Sequence, residues 1–254
     1  MLPTVDRNEG VTFRMKPTTA HNFPAMPMPQ RPLNPSPLEM VIYNYEVKAR
    51  AFHLERNKAA PKNESPQAKL QRIAKCERDQ KHLRMERRKI AAHVRLQTQL
   101  TDYRAASKLK SATELQAEEH HPTKRLVRNL RAVGEAKPTS FHEAHHIIPG
   151  KGRYLKVDML TCRLNLHQYG IGINDPVNGV WLRNFARNTP DDWATPEAPA
   201  HRKLHTYQYE EWISDLLSND NLPEALYLNR LHAVKVQLKT GTHPVKILEE
   251  KRSS

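Results

Sequence analysis

FHEAHHIIPGKG, residues 141–152, sets two adjacent histidines, His145 and His146, ahead of Ile147, Ile148 and Pro149, and closes on a Gly-Lys-Gly turn. The two β-branched isoleucines favour a strand over a helix, and Pro149, which has no N–H to give a ladder, ends it. Neighbouring side chains of a strand point to opposite faces. His145 and His146 are therefore expected to do different work, one binding a metal and the other facing a substrate.

Two further stretches belong with it. GINDPVNGVWL, residues 172–182, carries the turn signals Asn-Asp-Pro and Asn-Gly, read as a hairpin leading into a Val-Trp-Leu strand. An asparagine there can use its donor and its acceptor to fix a backbone or an imidazole in place. HRKLHTYQYEEWI, residues 201–213, spaces His201 and His205 as i and i+4, which on a helix puts both on one face as a bidentate site for a divalent metal. Thr206, Tyr207, Tyr209 and Trp212 are expected to continue that amphipathic helix. Another doublet, His120-His121, runs straight into Pro122 with no strand pattern around it and is read as inert.

In this order the residues resemble the AHH group of the HNH/endonuclease VII superfamily of ββα-metal nucleases. The likeness rests on Ala144-His145-His146-Ile147-Ile148-Pro149, then Asn178-Gly179-Val180-Trp181-Leu182, then His201 with His205-Thr206, and covers roughly residues 138–213. One departure is Arg183, which follows Leu182 where the family usually has proline. The resemblance implies an α+β chain: a small ββα-metal, HNH-like nuclease domain behind a Pro-rich segment and a long basic helical region. It implies an endonuclease that hydrolyses phosphodiester bonds of nucleic acid, DNA first. His145, His201 and His205 would hold one divalent ion (zinc, magnesium, manganese or nickel), His146 would be the general base, and Asn178, chosen over Asn174, would brace the strand that carries it. Lys151, Arg153, Arg183, Arg202 and Lys203 lie near these motifs and are candidate phosphate contacts. The family's usual place at the end of bacterial polymorphic toxins implies an acidic immunity protein as partner, and a secretion adaptor or chaperone docking on the first half. The alternative within the family is a phage or mobile-element nuclease.

Around this core the composition sets limits. The chain has 254 residues, of which 38% are hydrophobic, and a mean hydropathy of −0.77, which suits one compact domain beside an extended or helical segment. Two cysteines, Cys76 and Cys162, exclude a disulfide framework or a Cys-x-x-Cys knuckle, so a transition-metal site must rest on the 14 histidines. The net charge of +14 sits almost wholly in residues 1–137, where 27 Lys+Arg against 14 Asp+Glu give +13; residues 138–254 hold 14 against 13. No apolar run reaches the roughly 18 residues of a membrane span. MLPTVDRNEG has no basic n-region followed by an apolar stretch, so export from a producing cytoplasm is expected to use a signal-independent route, with action in a target cell.

Residues 16–37 hold seven prolines and are expected to be extended, a linker or a docking segment within a Pro-rich region 1–37. Residues 38–134 read as basic and helical: a helix over 38–60, ended by Pro61, then a 55-residue run without Gly or Pro between Pro66 and Pro122, predicted as one long or broken helix. RMERRK at 84–89 is either a phosphate grip or a solvated face. Six of eight glycines and all three tryptophans follow Pro138, which sets the expected nuclease domain at 138–254 with its boundary near 134–138. The main rival is a binding module built on a structural zinc, which would need a fourth protein ligand, and Cys162 is the candidate for it.

Overall fold

A computed structural model of the chain describes residues 27–249. Most of the expected Pro-rich segment, residues 1–26, lies outside the described residues; residues 27–36 have no regular secondary structure. Internal packing divides the chain into two units at Arg87 and Arg88.

In the first unit, helix α1 spans Pro37–Arg56. Ser36 starts it with a capping box: its hydroxyl accepts from the Glu39 N–H, and the Glu39 carboxylate accepts from the Ser36 N–H. The helix stops at Arg56, short of the expected residue 60, and among the described residues it buries no side chain. Helix α2 runs unbroken over Pro66–Lys108, 43 residues and about 65 Å at 1.5 Å per residue. Nothing in its sequence can break it. Lys48 and Glu86 form an ion pair at 2.8 Å between α1 and the first half of α2.

The second unit begins with the last turns of α2, followed by α3 (Ala112–Gln116), α4 (Lys124–Ala132), β1 (His142–His146), α5 (Lys156–Gln168), β2 (Gly179–Arg183), α6 (Tyr207–Leu217) and α7 (Glu224–Thr240). The strands form one antiparallel pair, His145 opposite Val180 and His146 opposite Gly179. Ile147, Ile148, Val180 and Leu182 join Met159, Cys162 and Leu166 of α5, Trp212 and Ile213 of α6 and Leu231 and Val234 of α7 in the main core. Leu126 and Leu130 of α4 pack with Ala144 and Trp181 in a second cluster. The architecture is α+β, many helices about a two-stranded sheet.

Three expectations are corrected here. Asn178-Gly179 is not a hairpin turn: Pro176–Asn178 is a 3₁₀ turn, Gly179 is extended, and β2 reaches β1 across the whole of α5. Gly179 serves close packing, since a Cβ there would lie 2.6 Å from Leu126 Cδ1. The boundary expected near 134–138 falls inside the compact unit, because α4, on its N-terminal side, packs on the sheet. The helix expected from His201 starts only at Tyr207, where the Thr206 hydroxyl caps it by accepting from the Tyr209 N–H; His201–Lys203 is a separate 3₁₀ turn.

Candidate active site

Alternation along β1 assigns its polar residues to two sites. Glu143 and His145, two apart, share one face, and His146 takes the other. The rings of His145, His201 and His205 converge on the first face, with centroids 4.9, 5.8 and 5.1 Å apart pairwise, and one nitrogen from each lies within 4.8 Å of the others.

The hydrogen bonds decide which nitrogens are free. Tyr209 donates its hydroxyl proton to the Ile147 carbonyl at 2.8 Å, so it can only accept from His145 Nε2, 3.2 Å away; His145 keeps Nδ1 open. The Glu143 carboxylate accepts from His201 Nδ1 at 2.8 Å, which leaves His201 Nε2. Burial pushes His145 well below the usual imidazole range, and the neighbouring His201 and His205 push it further. Burial also lowers His201 and His205, so all three are held neutral, the form that ligates a metal.

His146 belongs to a different group. Its Nε2 lies 3.1 Å from Asn174 Oδ1, and its ring centroid is 6.3 Å from those of both His120 and His121. Burial pushes it down to about 4, with His120, His121 and Arg163 adding to the shift and the Asn174 contact opposing it. The ring is thus neutral across the physiological range. The doublet read as inert is therefore at the site, and it arrives there through Arg163 of α5. That buried guanidinium donates to the carbonyls of Leu115 and Gln116 at the end of α3, of Glu118 just after it and of Gly150, and so fixes the path of the chain into His120. Among the described residues Asn178 makes no hydrogen bond to an imidazole: it accepts from the Ile148 N–H at 2.8 Å and donates to the carbonyls of Ile148 and Ile173, tying the exit of β1 to the loop before β2. Asn174, the asparagine passed over, is the one on His146.

A family model matches residues 126–237: AHH, a nuclease family of the HNH/ENDO VII superfamily with conserved AHH. These residues are an AHH nuclease domain. The family's activity is that of a phosphodiester hydrolase, so the chain carries an HNH-type endonuclease domain. No curated protein and no solved structure matches the chain.

Within the AHH domain the expected phosphate contacts separate. Lys151, Arg153, Arg202 and Lys203 are exposed, Arg202 at 3.7 Å from Glu143 and stacked over Phe185. Arg183 is not available: it is buried, pairs with Asp192 at 3.0 Å and donates to the carbonyls of Thr195, Pro196 and Ala198, which makes it a tie for the 191–198 loop. Cys162, the fourth ligand a structural zinc would need, sits in the core facing the Ile213 carbonyl, and burial pushes its thiol up to about 12. Sequence reasoning missed Glu143 and passed over Asn174. Glu143 could have been found from its i−2 spacing to His145. Asn174 was weighed against Asn178 and not chosen, because only the folded loop carries it to the ring. Glu210 was missed as well: its buried carboxylate accepts from the N–H groups of Arg153, Tyr154 and Leu155 and holds the loop that enters α5.

Proposed function

We propose that this chain is a metal-dependent endonuclease that cuts DNA, with His145, His201 and His205 holding one divalent ion and His146 acting as general base. The observation that carries the reading is the division of labour on β1: one histidine stands in a cluster of three neutral imidazoles, its neighbour in a separate pocket of hydrogen-bonded polar groups.

The donor set fits a borderline divalent cation. Each of His145 and His201 has one nitrogen committed to Tyr209 or Glu143, the outer contacts that orient a ligating imidazole, and the other left for a metal. Zinc and nickel suit imidazole best, and manganese and magnesium, which favour oxygen ligands, enter through the resemblance. Bound there, the ion supplies Lewis acidity that polarises the phosphoryl group and offsets its developing charge. His146 takes one proton from a water; the water oxygen forms a bond to phosphorus; the bond to the 3′ oxygen breaks, and that oxygen leaves with the electron pair and is protonated from solvent. Asn178 keeps the turn after β1 in place. Lys151, Arg153, Arg202 and Lys203 are left to hold phosphates.

The proposal extends to use as an antibacterial effector, delivered through an adaptor or chaperone that docks on the helical first half and neutralised by an acidic immunity protein. The helical first half, which holds nearly all of the net charge, suits an acidic docking partner.

The test is incubation of the full chain with plasmid, single-stranded DNA and RNA, with EDTA or with each metal. Metal-dependent nicking of plasmid, abolished in His146→Ala while calorimetry still detects metal binding, is the expected result. Wild-type nicking by His146→Ala would sink the assignment of the base. Loss of bacterial viability on expression, reversed by the same substitution, is expected of an effector.

A further inference from the structure

The polar groups that hold His146 form one connected network centred on Asn174. Asn174, fully buried, uses every hydrogen-bonding atom it has. Its N–H donates to the Tyr103 hydroxyl at 3.2 Å, and its carbonyl accepts from Asn129 Nδ2 at 2.8 Å. Its side-chain NH₂ donates to Glu118 Oε1 at 2.8 Å and to the Glu119 carbonyl at 2.9 Å. The remaining atom, Oδ1, faces His146 Nε2. Glu118 is held in turn: Tyr103 donates to Oε2 at 2.9 Å and Arg125 to Oε1 at 2.8 Å. Gly172 lets Tyr103 in, because a Cβ at that position would collide with the phenol oxygen.

This pairing allows one arrangement of protons. Carboxylate and carbonyl oxygens can only accept, so the Asn174 amide cannot flip without setting its own oxygen against two acceptors. With Oδ1 fixed toward the ring, His146 Nε2 must carry the hydrogen, and Nδ1 must have the lone pair.

We infer that Glu118 and Asn174 are positioning residues that lock His146 as its Nε2–H tautomer, leaving Nδ1 as the atom that accepts the proton of the attacking water. Tyr103, Glu118 and Glu119 precede the segment that matches the family model, so this support is supplied by a part of the chain outside the match. It rests on His146 being the base. The wrong tautomer of a general base is costly, as in Ser-His-Asp proteases, where it lowers kcat by about 10⁴-fold. Here a looser ring, free to sample both tautomers, is expected to cost about 10- to 100-fold, the penalty that loss of an outer partner brings to a metal-ligating imidazole.

The experiment is nitrogen-15 NMR on the full chain with labelled histidine at pH 8, beside steady-state kinetics on DNA. Wild type should show His146 as the Nε2–H tautomer. Glu118→Ala, which leaves the Glu119 carbonyl as the only acceptor for the amide, and Asn174→Ala should mix the tautomers and lower kcat, with KM for DNA unchanged. Zinc titration and thermal unfolding check that each variant is folded, and the wild-type spectrum stands even if Asn174→Ala is not. An Nδ1–H signal for wild-type His146 overturns the inference outright. So does a folded Glu118→Ala with wild-type tautomer and kcat. Either result leaves the base assignment standing if His146→Ala is inactive; an active His146→Ala removes the base instead.

Discussion

Glu143 and Tyr209 are not among the three proposed ligands, yet they decide whether the imidazoles can act as one set. Each commits the nitrogen that would otherwise compete, so the free lone pairs of His145 and His201 belong to the cluster. Glu143→Gln keeps the size but can donate where it should accept, and it removes the negative charge beside His201. Such outer partners contribute about 10- to 100-fold in metal affinity. Zinc affinity measured by competition with a chromogenic chelator should fall by that factor in Glu143→Gln, with little change in the thermal midpoint of the metal-free protein. Tyr209→Phe should lower both. It strips the Ile147 carbonyl and His145 Nε2 of a buried partner, at about 1–3 kcal/mol of stability for a group left unpaired. Equal zinc affinity in wild type and Glu143→Gln would mean that the carboxylate does not orient the ring.

Helix α4 ties the site to the rest of the unit, and it marks the limit of what the sequence revealed. The β1 strand, its opposed histidines and the α+β class were legible, because alternation and Ile-Ile-Pro are local signals. The pairing of β1 with β2 was legible only as a hairpin, since the turn chemistry of Asn178-Gly179 outweighed a partner that is in fact reached across α5. The 201–205 spacing suggested a helix, but Thr206 caps the chain only afterwards, and loop geometry gathers the two rings instead. What α4 and the residues just before it do was illegible, because a helix reading KRLVRNLRA has no sign of its partner until Leu126 and Leu130 meet Ala144 and Trp181. Its other face closes a cleft of about 310 Å³ lined by Glu119, His121, Pro122, Lys124, Arg125 and Arg128, and Arg128 Nε is enclosed there with no hydrogen-bond partner among the described residues. Cations beside His121, itself next to His146, suit a phosphate flanking the cleaved bond. Lys124→Ala with Arg128→Ala should weaken binding of duplex DNA in EDTA and flatten the slope of log K against log salt by about 0.9 for each phosphate no longer neutralised. An unchanged slope would take this face off the path of the strand.

At the scale of the molecule, burial of imidazole makes the fold acid-sensitive. His120, His142, His145, His146, His167, His201 and His205 are all held below the ordinary histidine value, burial being the main cause in each. Two of them lie away from the site. His167 accepts from Arg163 at one nitrogen and faces the Ile171 carbonyl with the other, so a second proton would point at a guanidinium. His142 is enclosed between Thr139 and Thr195, with Arg183 opposing its protonation and Asp192 favouring it. The direction follows from proton counting. Below about 6.5 the unfolded chain binds protons that the folded chain refuses, and stability falls as pH falls wherever the unfolded state holds more of them. Stability is therefore full above about 6.5, the ordinary histidine value, and the loss accumulates downward until the depressed folded values are passed. The urea midpoint of the metal-free protein should be flat between about pH 8 and 7, then drop steadily from about 6.5 to 5. A divalent metal, which needs the same neutral imidazoles, should raise the midpoint most at the alkaline end, because protons compete with it below. A midpoint that rises on acidification from about pH 7 to 5.5 would show that these rings are charged in the folded chain, and with it the three neutral ligands of the proposed metal site would be gone.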